Sequence, residues 1–300
     1  MSSTHIPIVF VHIGDAPPEY AKIAVSQARK WNPQNPIVFL SSVCPAGGYG
    51  AGETWIPLAD IPKSLNHAKF CETTILDTNF RNGFWRSTTE RLFYLEDWVA
   101  WKGVKEFFHI ENDNTLYMAI DDMLPTLRKE SKGISATFQG QGRIKTGDAR
   151  MCFSVLYCNK AEALSDFTYF LAGSRTDRDE MIRGGLHWQD TVDDCSCLPS
   201  TPPGSQYISD TFQSWYENPA FSWVFDAAAH GQYLGGEDPR NGPCGPGYVN
   251  LDVDFRADQF MYTWRKDAAE RLYPLIIDKD GKEWPIANLH IHSKRLQDFI

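Results

Sequence analysis

Glu111-Asn112-Asp113 is the first stretch of this sequence whose side chains could do chemistry. Two carboxylates separated by one residue point the same way at the end of a strand. The apolar run Phe107-Phe108-His109-Ile110 just ahead of them reads as that strand. Hard oxygen donors in such a position suit Mg²⁺ or Mn²⁺ holding phosphate oxygens. The plain alternative is a strand-end turn with solvated acids. A second candidate is Asn288-Leu289-His290-Ile291-His292-Ser293-Lys294. On a strand, His290, His292 and Lys294 share one face. Two imidazoles and an ammonium there put histidine on a metal and Lys294 on phosphate oxygens. The alternatives are an exposed edge strand, or a metal-dependent hydrolase built on the His-x-His pair.

Arg86 and Arg91 lie in Phe84-Trp85-Arg86-Ser87-Thr88-Thr89-Glu90-Arg91, on or near one helix, where arginine can grip a diphosphate. Ser87 to Glu90 also fits a capping box. Arg143 and Lys145 sit between two expected strands, as a lid over an anion or as a hairpin loop. Asp179, Glu180 and Asp190 follow the middle helix and are candidates for a general base near an acceptor. No Walker A run, no Gly-x-Gly-x-x-Gly after the first strand and no Gly-x-Ser-x-Gly elbow occurs.

The elements that must position these residues alternate. Ile6–Ile13 is a β-branched run ending at Gly14-Asp15. Pro17-Pro18 opens a helix to about Trp31. Ile37–Leu40 is a second buried strand ending at Ser41-Ser42, and Thr54–Leu58 a third. Ser87 to about Lys102 has apolar residues at helical spacing, with Gly103 as C-cap. Strands are expected at Glu106–Ile110, Ile134–Phe138 and Met151–Cys158. Helices are expected from Asp121-Asp122 and over Lys160–Leu171. Apolar strands alternating with helices predict an α/β sheet covered on both faces. Ligands then sit at the carboxyl ends of the strands, which here are His12, Gly14, Asp15, Ser41 and the 111–113 acids. Residues 199–247 are rich in Gly, Pro and aromatic rings, and read as an ordered, loop-rich excursion. Beyond it, Asp258–Leu272 is expected to be helical. Leu275–Ile277 and Ile286–His292 are expected strands, with a hairpin turn at Asp280-Gly281.

Composition limits the partners. The 300 residues carry 29 Lys plus Arg against 38 Asp plus Glu, a net charge of −9 that speaks against nucleic acid or anionic membrane as partner. No run is long and apolar enough for a transmembrane segment. The seven cysteines are irregularly spaced, which suggests free thiols in a reducing compartment, the cytoplasm. Cys195-Ser196-Cys197 is the only tight pair. A zinc site there would draw on Cys244 and His187, whereas the plain reading is ordinary thiols.

Taken in order along the chain, these motifs resemble the GT-A glycosyltransferases. Glu111-Asn112-Asp113 is similar to their acidic D-x-D motif, with Glu for the first Asp. His290, His292 and Lys294 look like their late-chain metal and diphosphate element. FWRSTTERLFYLEDW and NLHIHSK are similar to phrases of viral and microbial glycosyltransferase-like proteins. The resemblance covers about residues 5–172 and 255–295. It implies one catalytic domain over 1–300, with a doubly wound mixed sheet, helices on both faces and a long loop-rich insertion. Residues 5–172 would bind the nucleotide sugar, 173–254 would face the acceptor and 255–300 would complete the site. The implied activity is metal-dependent transfer of a sugar from a nucleotide-diphosphate donor to a glycan or other hydroxyl. Glu111, Asp113, His290 and His292 would hold Mn²⁺ or Mg²⁺. His12, Gly14, Asp15, Ser41, Arg86, Arg91 and Lys294 would hold the donor. The rivals are the hydrolase, a nucleotidylyltransferase lacking its Gly-rich signature, and an inactive carbohydrate-binding protein on the same fold.

Overall fold

The computed structural model describes residues 5–44, 48–50, 52–139, 149–173, 175–191, 193–203, 210–218, 221–241 and 245–300. The first half alternates as its apolar runs require, through Ile8–His12 (β1), Glu19–Trp31 (α1), Ile37–Ser41 (β2), Thr54–Pro57 (β3), Leu65–Thr73 (α2), Phe84–Lys102 (α3), Phe107–Ile110 (β4), Asn114–Leu116 (β5) and Ile120–Glu130 (α4). Ile134–Gln139 (β6), Arg150–Cys158 (β7), Ala161–Gly173 (α5), Glu180–Asp190 (α6) and Cys195–Leu198 (β8) follow. The last part holds Asp210–Glu217 (α7), His230–Gly235 (α8), Met261–Lys266 (β9), Leu272–Ile277 (β10), Glu283–Pro285 (β11) and Asn288–His290 (β12).

The main sheet has seven strands in the order β3-β2-β1-β4-β7-β6-β8. β1 runs parallel to β2 and β4, and β7 is antiparallel to both β4 and β6. This is the doubly wound mixed sheet that the sequence implies. Alternation along the strands feeds two cores. Ile8 and Phe10 of β1 pack with Ala24, Val25 and Ala28 of α1 on one face. Val9 and Val11 pack with Leu92, Leu95 and Val99 of α3 on the other. Each such side chain taken fully out of water contributes roughly 1.5–3 kcal/mol.

Helix α3 lies inside the protein, and every residue from Thr89 to Val99 is buried. Four of those residues are charged (Glu90, Arg91, Glu96 and Asp97), and each must be met by a partner to stay in the interior. The helix begins at Phe84, three residues before Ser87, because Gly83 takes a left-handed φ of 81° as its N-cap. Ser87 is therefore inside the helix and the expected capping box does not form. Gly103 does cap the other end, at φ 64°.

Three expectations are corrected. Asp258–Leu272 is not helical: after one 3-10 turn at Ala257–Gln259, Met261–Lys266 is a strand paired antiparallel with β10. Tyr262 and Trp264 alternate onto the core while Met261 stays exposed, a period of two that outweighs helix propensity. The last strand is shorter than Ile286–His292 and ends at His290. The 173–254 insertion is not all loop, since it holds α6 and β8, and β8 pairs parallel with β6 at the edge of the main sheet.

Candidate active site

Backbone pairing builds the site. β1 and β4 are parallel neighbours with β2 on the far side of β1, so the chain leaves both strands at the point where winding reverses, the usual ligand crevice. Asn112 turns back across that point, donating its side-chain amide to the Val11 carbonyl at 3.1 Å. Immediately after Asp113, β5 pairs with β12, setting Asn114 opposite His290. The Ile291 amide donates to the Asp113 carbonyl at 2.8 Å. The strand then breaks into a turn, and Lys294 adopts a left-handed φ of 62°. His290, His292 and Lys294 are thus not three positions on one strand face. The turn folds Lys294 back so that its Nζ meets Asp113 Oδ2.

Glu111, Asp113 and His290 each offer a donor atom within 4.8 Å of the others. His290 Nε2 lies 3.1 Å from Asp113 Oδ1 and 3.4 Å from Glu111 Oε2. Burial alone would lower the His290 pKa, but the Asp113 carboxylate reverses this and pushes it up to about 9. Burial opposes ionisation of Asp113, yet His290 and Lys294 hold its pKa well below the usual range. A proton on His290 thus bridges the two carboxylates, and a divalent cation among these atoms would replace that proton. Two carboxylates and one imidazole suit Mn²⁺ or Mg²⁺, so the donor set fits the implied ion.

Arg91 reaches the site from α3, with Nη1 on Glu111 Oε1 and Nη2 3.7 Å from Glu180 Oε1. The Thr88 and Thr89 hydroxyls donate to Glu180 Oε2, each at 3.0 Å. All of these groups except Thr89 line a cleft of about 340 Å³. Its cationic side chains are Arg81, Arg91, Arg150, Lys294 and the protonated His290; its carboxylates are Glu111, Asp113, Glu180, Glu237, Asp238 and Asp252. Acids outnumber bases, so an anionic diphosphate gains little there until a cation has entered. Phe80, Phe84, Trp85 and Tyr248 add aromatic surface to the wall.

The remaining expected residues sit elsewhere. His292 lies beside the donor set, its ring 4.3 Å from that of His290, with Nδ1 2.5 Å from the Gln232 amide. Burial, then the charges of His290 and Lys294, push its pKa well down, so it is neutral. His12 is at the crevice edge, 3.4 Å from Asn112 and 3.1 Å from the Asp15 carbonyl, with Gly14 and Asp15 exposed. The Ser41 hydroxyl is committed to the fold, donating to the Val43 carbonyl and accepting from Trp55 Nε1. Arg86 faces Glu90 at 3.7 Å, not the cleft. Asp179 is the N-cap of α6, accepting from the Met181 and Ile182 amides. Asp190 is eleven residues further along, about 16 Å down that helix. Arg143, Lys145 and Cys244 lie outside the described residues. Cys195 and Cys197 are buried thiols in β8, and the His187 ring packs on Phe167 and Phe170.

The excursion supplies residues that sequence patterning passes over. Asp226 is fully buried. It accepts from the Ala229, His230 and Gly231 amides and from the His290 amide at 2.9 Å, tying α8 to β12. Gly231 is needed there because a Cβ would lie 2.2 Å from the His290 carbonyl oxygen. Arg81 spans to the excursion through Asp238 at 3.1 Å. An Asp three residues ahead of an Ala-His-Gly helix start was the one available signal.

No family model and no curated protein matches the sequence. Among solved structures, the chain is similar to mouse xyloside xylosyltransferase 1 in its apo form, at 9% identity over 65% of this chain and 85% of that one, with a TM-score of 0.47. It is similar to the galactosyltransferase LgtC with donor and acceptor sugar analogues, at 13% identity over 65% and 73% of the two chains, with a TM-score of 0.38. It is also similar to the glycosyltransferase GlyE of Streptococcus pneumoniae TIGR4, at 14% identity over 65% and 45%, with a TM-score of 0.36.

Proposed function

We propose that this protein is a metal-dependent glycosyltransferase that moves a sugar from a nucleotide-diphosphate donor to a glycan or other hydroxyl acceptor. One observation carries the reading: Glu111, Asp113 and His290 converge at the carboxyl end of β4 with Lys294 and Arg91 alongside. In the reaction the bond from the sugar's anomeric carbon to the diphosphate breaks. A bond to the acceptor oxygen forms, and the acceptor's proton leaves. Asp113, Glu111 and His290 would hold a Mn²⁺ or Mg²⁺, which would supply positive charge to the departing diphosphate. Lys294 adds a second positive charge on the same side. Arg91, pinned between Glu111 and Glu180, orients the carboxylate it touches. His12, Gly14 and Asp15 border the nucleotide end of the crevice. The aromatic wall packs against the apolar face of the acceptor sugar.

Of Asp179, Glu180 and Asp190, Glu180 lines the cleft and is the candidate proton acceptor. Burial raises its pKa, against the pull of Arg91, which strengthens it as a base. The whole chain acts as one catalytic domain, as one hydrophobic cluster drawing on Phe10, Phe225 and Leu289 supports. Cys71, Cys152, Cys158, Cys195 and Cys197 are free thiols, which supports a cytoplasmic setting. Among the described residues no helix is long and apolar enough to cross a membrane. Calorimetry with UDP, GDP, CDP and ADP, with and without Mn²⁺, on wild type and Asp113→Ala tests the proposal. The expected result is tight binding of one diphosphate that needs both the metal and Asp113. Binding of none under any metal would overturn it and favour the hydrolase or carbohydrate-binding readings.

A further inference from the structure

A second cluster lies between α2 and α3. His67 Nε2 is 3.1 Å from Glu90 Oε1, and Cys71 Sγ is 3.6 Å from that same oxygen. We propose that His67, Cys71 and Glu90 form a structural zinc site that clasps α2 to α3. The inference does not rest on the transferase reading.

The spacing suits the ion. Zinc bonds of about 2.0–2.3 Å in a tetrahedron put neighbouring ligand atoms roughly 3.3–3.7 Å apart. The 3.6 Å separation falls in that range and the 3.1 Å one lies just below it, and all three donors lie within 4.8 Å of one another. His67 and Cys71 are one helical turn apart on α2, so they face the same side.

The surroundings suit it too. His67 Nδ1 bonds Asp97 Oδ2 at 2.5 Å, and Asp97 Oδ1 accepts from the Ser64 amide at 2.8 Å. A carboxylate on the far ring nitrogen is the usual support of a metal-binding histidine, and it aims Nε2 at Glu90 and Cys71. A cationic group already stands at the open side: Lys63 Nζ is 3.3 Å from Cys71 Sγ and 3.6 Å from Glu90 Oε1. Its side chain is 42% exposed and can swing into solvent, leaving a position for water. A thiolate and a carboxylate balance the two charges of zinc. Thiolate and imidazole also select zinc over Mg²⁺ or Mn²⁺. The need for a clasp is visible in α2, a nine-residue helix whose buried residues are His67 and Phe70.

The test strips metal from the full chain with a chelator and titrates Co²⁺, then Zn²⁺. Wild type is compared with Cys71→Ser, Asp97→Asn, Asp113→Ala and Cys44→Ser. The expected result is one Co²⁺ with a thiolate charge-transfer band, displaced by Zn²⁺ but not by excess Mn²⁺. The band persists in Asp113→Ala and Cys44→Ser and is lost in Cys71→Ser. Asp97→Asn keeps the band with affinity weakened roughly 10–100-fold. No band in wild type, a band that survives Cys71→Ser, or one that Mn²⁺ displaces would overturn the assignment. Asp97→Asn keeps the test decisive should Cys71→Ser not fold, since unchanged affinity in that variant also counts against the site.

Discussion

Helix α3 separates two clusters built from the same ingredients. On one side Arg91 meets Glu111, beside Asp113, His290 and Lys294. On the other Glu90 meets His67, beside Asp97, Cys71 and Lys63. Both hold a histidine between two carboxylates with an ammonium nearby. They differ in what carries them. The first hangs on strand ends and a turn, from positions about 180 residues apart, and opens into a cleft. The second is fixed on two successive helices, within 34 residues, with His67 wholly buried. Side chains on loop ends can exchange a proton for a ligand at little cost to the fold. Side chains locked between helices make that exchange only together with the helix contact they hold, so a metal there serves the structure. Adjacent residues Glu90 and Arg91 serve opposite sides because neighbours on a helix do not face the same way.

Removing one member from each cluster should break this contrast most sharply at the helical clasp. His67→Leu strands Asp97 in the interior, and losing one partner of a buried pair costs about 3–5 kcal/mol. Urea unfolding should show that loss while diphosphate affinity, measured under folded conditions, stays near wild type. The converse change is Asp113→Ala. Turnover should fall by roughly 10²–10³-fold, the scale of a lost transition-state charge partner, with little shift in the urea midpoint. A smaller effect tests whether the excursion positions the cleft cluster. Gly231→Ala forces α8 away from the His290 carbonyl, an overpacking cost of about 1–3 kcal/mol, and should weaken Mn²⁺-dependent diphosphate binding. As a control, Gly281→Ala in the β10–β11 hairpin turn, where a Cβ would meet nothing within 4 Å, should leave binding unchanged.

The smallest effect concerns a histidine bonded to a backbone carbonyl instead of a carboxylate. His109 Nδ1 sits 2.9 Å from the Val9 carbonyl. Burial, aided by nearby Arg91, pushes its pKa down to about 3 from 6.5. Between those values the unfolded chain binds a proton that the native state does not. Stability is therefore full above pH 6.5 and falls as pH drops toward 3, by about 1.4 kcal/mol per pH unit from this group. Urea midpoints at pH 7 and pH 5 should show a flatter dependence in His109→Gln. The sign is opposite for His290, which gains a carboxylate partner and has a raised pKa.

The alternating apolar runs made β1, β2, β4, β6 and β7 readable, because a strand buried on both faces has to be apolar throughout. The 111–113 acids were readable because they end such a strand. α2 and its cluster were not. His67, Cys71 and Glu90 are ordinary residues in ordinary helices until α2 docks on α3. β9 was misread as helix because its alternation of Tyr262 and Trp264 matters only against a partner strand. The role of Asp226 is not legible in the sequence because, beside its three local bonds, the one that ties α8 to β12 reaches across 64 residues to the His290 amide.

The sequence alone therefore determined the kind of sheet and where its crevice-bearing strand ends fall, since both follow from local pattern. The tertiary structure alone decided which side chains meet. The β5–β12 pairing and the turn at Lys294 bring His290 and Lys294 to Asp113. Helix packing turns Glu90 away from Arg91's cleft. Such contacts depend on register and on close backbone approach between distant segments, and no spacing along a single chain encodes either.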